Sequence, residues 1–184
     1  LSIADKLDTI AGIYATGQKP TGTRDPFGLR RAALGLLRTS IEQGLDLDLQ
    51  QLIGQAVAAA QVDMARVALE QGKTLVPVDA AKLAFEVYDY VIERLRAYYV
   101  EGTADITVAV EAFDAVPATR PASALDFDGR LRALVQFLQL PDATSLAAAN
   151  KRIANILKKV AEPVREAVDE SQLIDPAEQV LAEQ

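Results

Sequence analysis

Residues 25–44, DPFGLRRAALGLLRTSIEQG, carry a helix start, a helix body and a helix stop in one stretch. Asp25 offers a carboxylate to free backbone N–H groups, and Pro26 takes the first helical position, where its missing donor costs nothing. Phe27, Leu34 and Ile41 return at helical spacing, the helix is expected to run to about Gln43, and Gly44 is its natural stop. The same grammar extends in both directions. Upstream, Ser2 and Asp5 read as a capping box ahead of the stripe Ile3, Leu7, Ile10 and Tyr14. Between these helices, GQKPTGTRD (residues 17–25) breaks all periodicity and reads as a loop.

Downstream, residues 46–71 carry Leu49, Leu52, Ile53, Val57 and Ala60 at helical spacing, with Gly72 as the stop. Val76-Pro77-Val78-Asp79 restarts the chain. Asp79 is expected to cap a long helix to Val100, built on Leu83, Val87, Val91, Leu95 and Tyr98 and ended by Gly102. Thr103 is placed to cap a shorter helix through Asp114, although its Ile, Thr and Val content is poor helix material. Residues 116–123, with Pro117 and Pro121, read as a linker. A helix over about 126–140 follows, with Phe127, Leu131, Leu134 and Leu138 on one face and Pro141 at its end. Another spans about 144–160, and the acidic tail is broken by Pro163 and Pro176. The expected fold class is all-α, an irregular helical bundle, with its main boundary near residues 72–78.

Composition narrows the chemistry. Among 184 residues there is no His and no Cys. The usual general base near neutral pH is missing, as are thiol nucleophiles, disulfides and thiolate zinc sites. A Ser-His-Asp or Cys-His arrangement is therefore impossible, and no catalytic residue is assigned. No uninterrupted apolar run reaches the roughly 18 residues of a membrane span, and no signal-peptide pattern is present. Freedom from cysteine fits a cytoplasmic protein.

The net charge is −7, unevenly spread. Residues 1–45 carry net +2 and residues 46–129 net −8. Residues 130–159 hold six basic residues and one acidic, and residues 160–184 carry net −6. A basic block inside an acidic chain suits contact with RNA, and equally a solvated helix face.

Within that block, the helix over 144–160 sorts its side chains cleanly. Leu146, Ala149, Ile153, Ile156, Leu157 and Val160 form one face. Lys151, Arg152, Asn155, Lys158 and Lys159 project opposite, within roughly 120°. Cations alternating with Asn can neutralise phosphates and read a base edge in an unpaired loop. Arg130 and Arg132, on the preceding helix, extend the candidate patch. On the first complete helix Arg30, Arg31 and Arg38 fall within about 100° of one another, suited to ion pairing or to phosphate. Asp5 and Asp8 share a helix face, but a metal site needs further ligands and none stands near them in sequence. Gly17 and Gly22 have the spacing of a phosphate loop, but Thr23-Arg24 follows where Lys and Ser or Thr are required.

Three stretches go further: IADKLDTIAGIY (residues 3–14), GQKPTGTRDPFGLRRAALGLLR (17–38) and AAANKRIANILKK (147–159). Together they closely resemble the β subunit of the bacterial two-subunit glycyl-tRNA synthetase. The third resembles a helical anticodon-binding domain named for a DALR motif, with DFDGRLRALVQF (126–137) in the helix before it. Arg24 and Gly28 stand where the family usually shows Lys and Ala. The resemblance implies a C-terminal fragment. Residues 1–72 would be the end of an HD-like helical domain with connecting helices, and residues 73–184 an anticodon-binding-like domain, cut short. Asp5 would match the last acidic position of the HD-like domain, whose histidines are absent.

The resemblance also implies a division of labour. The α subunit would hold the class II catalytic core and use ATP and Mg. This fragment would need no cofactor or metal of its own. Its partners would be tRNA(Gly) and the α subunit, in an α2β2-type heterotetramer away from any membrane. The expected RNA-binding residues are Asn150, Lys151, Arg152, Asn155, Lys158, Lys159, Arg130, Arg132, Lys19 and Arg24. Two further readings stand beside this one: a structural or subunit-assembly module without RNA contact, and a degenerate HD-type phosphohydrolase resting on Asp5 and Asp8 alone.

Overall fold

Asp25 does cap a helix, from further out than its place before Pro26 implies. Its carboxylate accepts the N–H groups of Leu29 at 2.8 Å and Arg30 at 2.9 Å. The chain first makes a turn closed by Gly28 N–H on Asp25 C=O, and Gly28 takes a φ of 65°. That left-handed conformation suits glycine and delays the helix to Leu29. The computed structural model describes residues 2–74, 78–102, 104–106, 108–159, 173–176 and 179–180. Among them are eight α-helices and no β-strand: α1 (Ser2–Ala15), α2 (Leu29–Glu42), α3 (Leu49–Glu70), α4 (Ala80–Glu93), α5 (Leu95–Val100), α6 (Val110–Ala115), α7 (Ala124–Leu138) and α8 (Ala143–Leu157). The fold is all-α, as expected.

The caps explain most boundaries. Asp48 accepts Gln51 N–H at the start of α3, and Asp79 accepts Ala81 and Lys82 N–H at the start of α4. Gly44, Gly72 and Gly102 follow the ends of α2, α3 and α5 with positive φ. Ser2 forms no capping box. Its hydroxyl accepts from Lys6 Nζ instead. The long helix expected to Val100 breaks at Arg94 into α4 and α5. The helix expected from Thr103 is confined to Val110–Ala115, since Ala104–Ile106 bend and only the last turn and a half is helical. Thr103, Val160 and Pro163 lie outside the described residues.

The described chain forms two compact units, Leu1–Phe137 and Leu138–Gln184. This division differs from the boundary expected near residues 72–78, because α4 packs on both α1 and α3 and so ties the two sides of that stretch together. In the first unit, α1, α2, α3 and α4 bury Leu7, Ile10, Leu36, Leu37, Ile53, Val57, Val87 and Val91 at helical spacing. By length and composition α3 also suits a membrane span, with a mean hydropathy of 1.2 over its most apolar stretch. Here Leu49, Ile53, Val57 and Ala60 give one of its faces to the core. A second cluster is aromatic: Tyr99 stacks on Phe127 at 6.1 Å, and Phe113 meets Phe127 at 5.5 Å.

Residues 116–123 are no loose linker. Pro117–Thr119 form a 3-10 turn, and Arg120 follows with a φ of 46°, a left-handed conformation unusual for a residue with a side chain. Its guanidinium compensates. It lies 3.7 Å from the Phe85 ring centroid and 4.4 Å from that of Tyr88, and pairs with Asp89 at 2.8 Å. The next residues are tied to α3 and α4. Leu49 N–H and Gln50 Nε2 donate to the carbonyls of Ala122 and Arg120, and the Tyr88 hydroxyl to that of Pro121 at 2.6 Å. Buried Ser123 donates to Asp46 at 2.5 Å and accepts Asp126 N–H, capping α7.

Arg120→Ala keeps the strained backbone while removing the ring contacts and the ion pair. We expect it to lose about 1–2 kcal/mol in urea unfolding. Burial pushes the Tyr88 hydroxyl up from its ordinary 10.0 to about 12. Its contribution to stability is therefore complete below pH 10 and is lost as pH rises through about 12. Unfolding midpoints measured across that range fall steeply, and Tyr88→Phe flattens the fall.

Candidate nucleic-acid interface

The second unit contains α8, which starts after Pro141 and Asp142. Ser145 Oγ donates to the Asp142 carbonyl at 2.9 Å. Ala143 is buried, and from Thr144 to Lys159 every described side chain is exposed. On one side lie Leu146, Ile153 and Leu157, with Ile156 at the border, each about half exposed. On the other, Lys151, Arg152, Asn155 and Lys159 line a shallow groove of about 400 Å³ with Ala148 and Ile156. Positions 148, 152, 155 and 159 stack along one helix face, and 151 and 155 are one turn apart, so helical spacing brings these side chains together. Asn150 and Lys158 sit on the same helix outside it. The cations at 158 and 159 also suit the helix C-terminus.

The decisive property of this groove is what it lacks. Among the described residues, none of Lys151, Arg152, Lys158 and Lys159 has an ion-pair partner. The other expected RNA-binding cations are differently placed. Arg132 is held by three hydrogen bonds, two to Asp105 at 2.6 and 2.9 Å and one to Asp128 at 2.8 Å. Asp128 is buried and also accepts from the Tyr99 hydroxyl at 2.5 Å. The bonds to Asp105 and Asp128 push the Arg132 guanidinium further up, and the Arg132 bond holds Asp105 below the usual carboxylate range. Arg130 pairs with Asp126 at 2.8 Å and reaches Thr119. Lys19 pairs with Glu86 and sits 5.7 Å from the Tyr14 ring centroid. Arg24 is exposed, and its backbone pairs with Thr21 across the loop.

Asp5 and Asp8 remain exposed on α1. Asp8 lines a mainly apolar groove of about 590 Å³ with Gly12, Ile13, Met64 and Val67. Among the described residues, no three acidic side chains gather where a metal ion would sit. Sequence reasoning missed that Asp105 and Asp128 converge on Arg132. Only the Asp128–Arg132 spacing of four residues signals any of it; Asp105 is brought in by the fold.

Fold and surface together define an all-helical protein whose α8 carries cations with no ion-pair partner among the described residues. The sequence profile described as Glycyl-tRNA synthetase beta subunit matches residues 1–118. The glycine–tRNA ligase beta subunit of Xanthomonas campestris pv. campestris (strain 8004) is 46% identical over 183 residues, covering 100% of this chain. Its counterparts in Pseudomonas aeruginosa (strain LESB58) and Tolumonas auensis are 45% and 44% identical, over 98% and 100% of the chain. The chain belongs to the glycyl-tRNA synthetase beta subunit family. It spans about a quarter (24%) of the length of these relatives.

Paired and unpaired cations should respond differently to substitution. Arg132→Ala strands the buried Asp128 carboxylate, and we expect a loss of about 2–3 kcal/mol in chemical unfolding. Lys151→Ala should stay within about 0.5 kcal/mol of the parent. Equal losses would show that the two cations are not so divided.

Proposed function

We propose that this chain is a tRNA-binding portion of a glycine–tRNA ligase β subunit, supporting the ATP-dependent attachment of glycine to tRNA(Gly) in the cytoplasm. The observation that carries the reading is the α8 groove, where Lys151, Arg152 and Lys159 stand exposed beside Asn155 and, among the described residues, unpaired. An acidic chain gains nothing in stability from leaving such cations uncompensated. A polyanionic ligand supplies the missing charge. Asn155 adds an amide that donates and accepts, the equipment for reading a base edge in an unpaired loop. Asn150 and Lys158 are further exposed polar groups on α8, and Arg24 is an exposed cation of the first unit. Arg130, Arg132 and Lys19 contribute chiefly by shaping the fold, since carboxylates already hold them.

In this reading, activation of glycine belongs to a class II α subunit in an α2β2-type assembly, which binds the ATP and Mg. The absence of His and Cys from this chain accords with that division. In the same reading α1 belongs to the end of an HD-like domain and α8 to an anticodon-binding-like module. A second reading, subunit assembly, draws on the half-exposed face of Leu146, Ile153, Ile156 and Leu157.

Filter binding of tRNA(Gly) across a KCl series separates the two. Lys151→Glu with Arg152→Glu should weaken binding about 100-fold and lower the slope of log K against log salt by about 2. An unchanged slope removes the RNA face. Loss of α subunit association with tRNA affinity intact favours the assembly reading.

A further inference from the structure

Four guanidinium groups converge on one cleft in the first unit, well apart in sequence. Arg30 and Arg31 come from the first turn of α2, and Arg94 and Arg96 from the junction where α4 breaks into α5. The cleft measures about 390 Å³, and its acidic neighbours are Glu93 and Glu101. Four cations against these two carboxylates and Asp114, which also pairs with Arg96, leave it positive inside an acidic chain.

The four are not equally engaged. Arg96 is pinned to Glu93 at 2.7 Å and Asp114 at 2.5 Å, over the Phe113 ring. Arg94 lies 5.1 Å from the Tyr90 ring centroid, with one bond to the Tyr90 carbonyl at 3.4 Å. Arg30 gives one N–H to the Gly22 carbonyl. A guanidinium carries five N–H donors, so Arg30 and Arg94 are oriented with most of their donors free. Arg31 is exposed and, among the described residues, has no partner.

We propose that this cleft binds phosphate groups of an RNA backbone, at a site separate from α8. Planar forks held in place by rings and backbone carbonyls match phosphate oxygens two at a time and lose little freedom on binding. Several cations in one cleft favour a ligand with several negative charges over a single carboxylate. A further exposed cation is tied to Arg30, because the Arg30–Gly22 bond holds the 21–24 turn, which carries Arg24, to α2. The proposal rests on reading the protein as RNA-binding, and it is independent of which helix reads bases.

The test uses the native protein with the subunits it purifies with, and a tRNA(Gly) transcript as probe over a KCl series. Arg31→Glu should weaken binding about tenfold and lower the salt slope by about 1, with Arg31→Lys restoring most of both. Arg31 has no partner among the described residues, so the unfolding midpoint of these variants should not move. Arg66→Glu, an equal charge change on exposed α3 outside the cleft, is the control. An unchanged slope in Arg31→Glu overturns the proposal, as does an equal effect of Arg66→Glu or a loss confined to subunit association. If the α8 reversals are silent while Arg31→Glu acts, the cleft stands and the α8 reading fails. The opposite result removes the cleft alone.

Discussion

The first unit depends on the fastening of residues 120–123 across α3 and α4. Three backbone carbonyls and one buried hydroxyl are satisfied there by groups from α3, from α4 and from the turn before α3. The Leu49, Tyr88 and Ser123 donors are buried and would otherwise lack a partner, at a cost of about 1–3 kcal/mol apiece, whereas Gln50 is exposed and adds register rather than relief of burial. The fastening also sets where α7 begins, since Ser123 both bonds Asp46 and caps α7. Phe127 then lands between Tyr99 and Phe113, and the aromatic cluster closes. Arg120 is held left-handed at the corner, where its head lies against two rings of α4. Backbone strain at one residue is thus offset by contacts that exist only if α4 is already in place.

That dependence explains why the helices were legible and the corner was not. Helix ends are local. Asp79, Gly44 and Gly72 act on backbone groups within a few residues, so their roles follow from chain order alone. The stripes Leu7, Ile10, Tyr14 and Leu49, Ile53, Val57 likewise need only helical spacing. The start of α2 slipped by three residues because the competing option, a glycine turn at Gly28, is equally local and has almost no sequence cost. Pro117 and Pro121 marked a break in helix and were read as a linker. Whether such a break is loose or bolted depends on Tyr88, Asp46 and Leu49, dozens of residues away.

The same distinction runs through the charges. Sequence can say that Arg132 is cationic and stands four residues after Asp128. It cannot say that Asp105 will arrive from the other side, because residues 104–106 form a bend where a helix was expected. The pairing uses up Arg132, and comparable pairs use up Lys19 and Arg130. On α8 the reverse holds. Its cations face no carboxylate among the described residues, and their grouping is set by helical spacing alone, so that part of the candidate surface was readable in advance. The cleft at Arg30, Arg31, Arg94 and Arg96 was half readable. The first two share a helix, but Arg94 and Arg96 join them only because α2 packs on α4 and α5.

A chain of net charge −7 has carboxylates to spare for its nineteen lysines and arginines, so a cation left unpaired is the exception that needs a reason. Surface pairs contribute little to stability, about 0–1 kcal/mol each, so stability alone exerts only weak pressure for or against them. Their effect on ligand binding is larger. A guanidinium already engaged by two carboxylates must give up those bonds before it can neutralise a phosphate, whereas Arg31, Lys151 and Arg152 give up only water. In an acidic protein, the pattern of pairing therefore decides which cations remain available to a polyanion, and the fold sets that pattern through which helices it brings together. Arg132, fully engaged beside buried Asp128, and Lys151, exposed on α8, are the two ends of that scale within one chain.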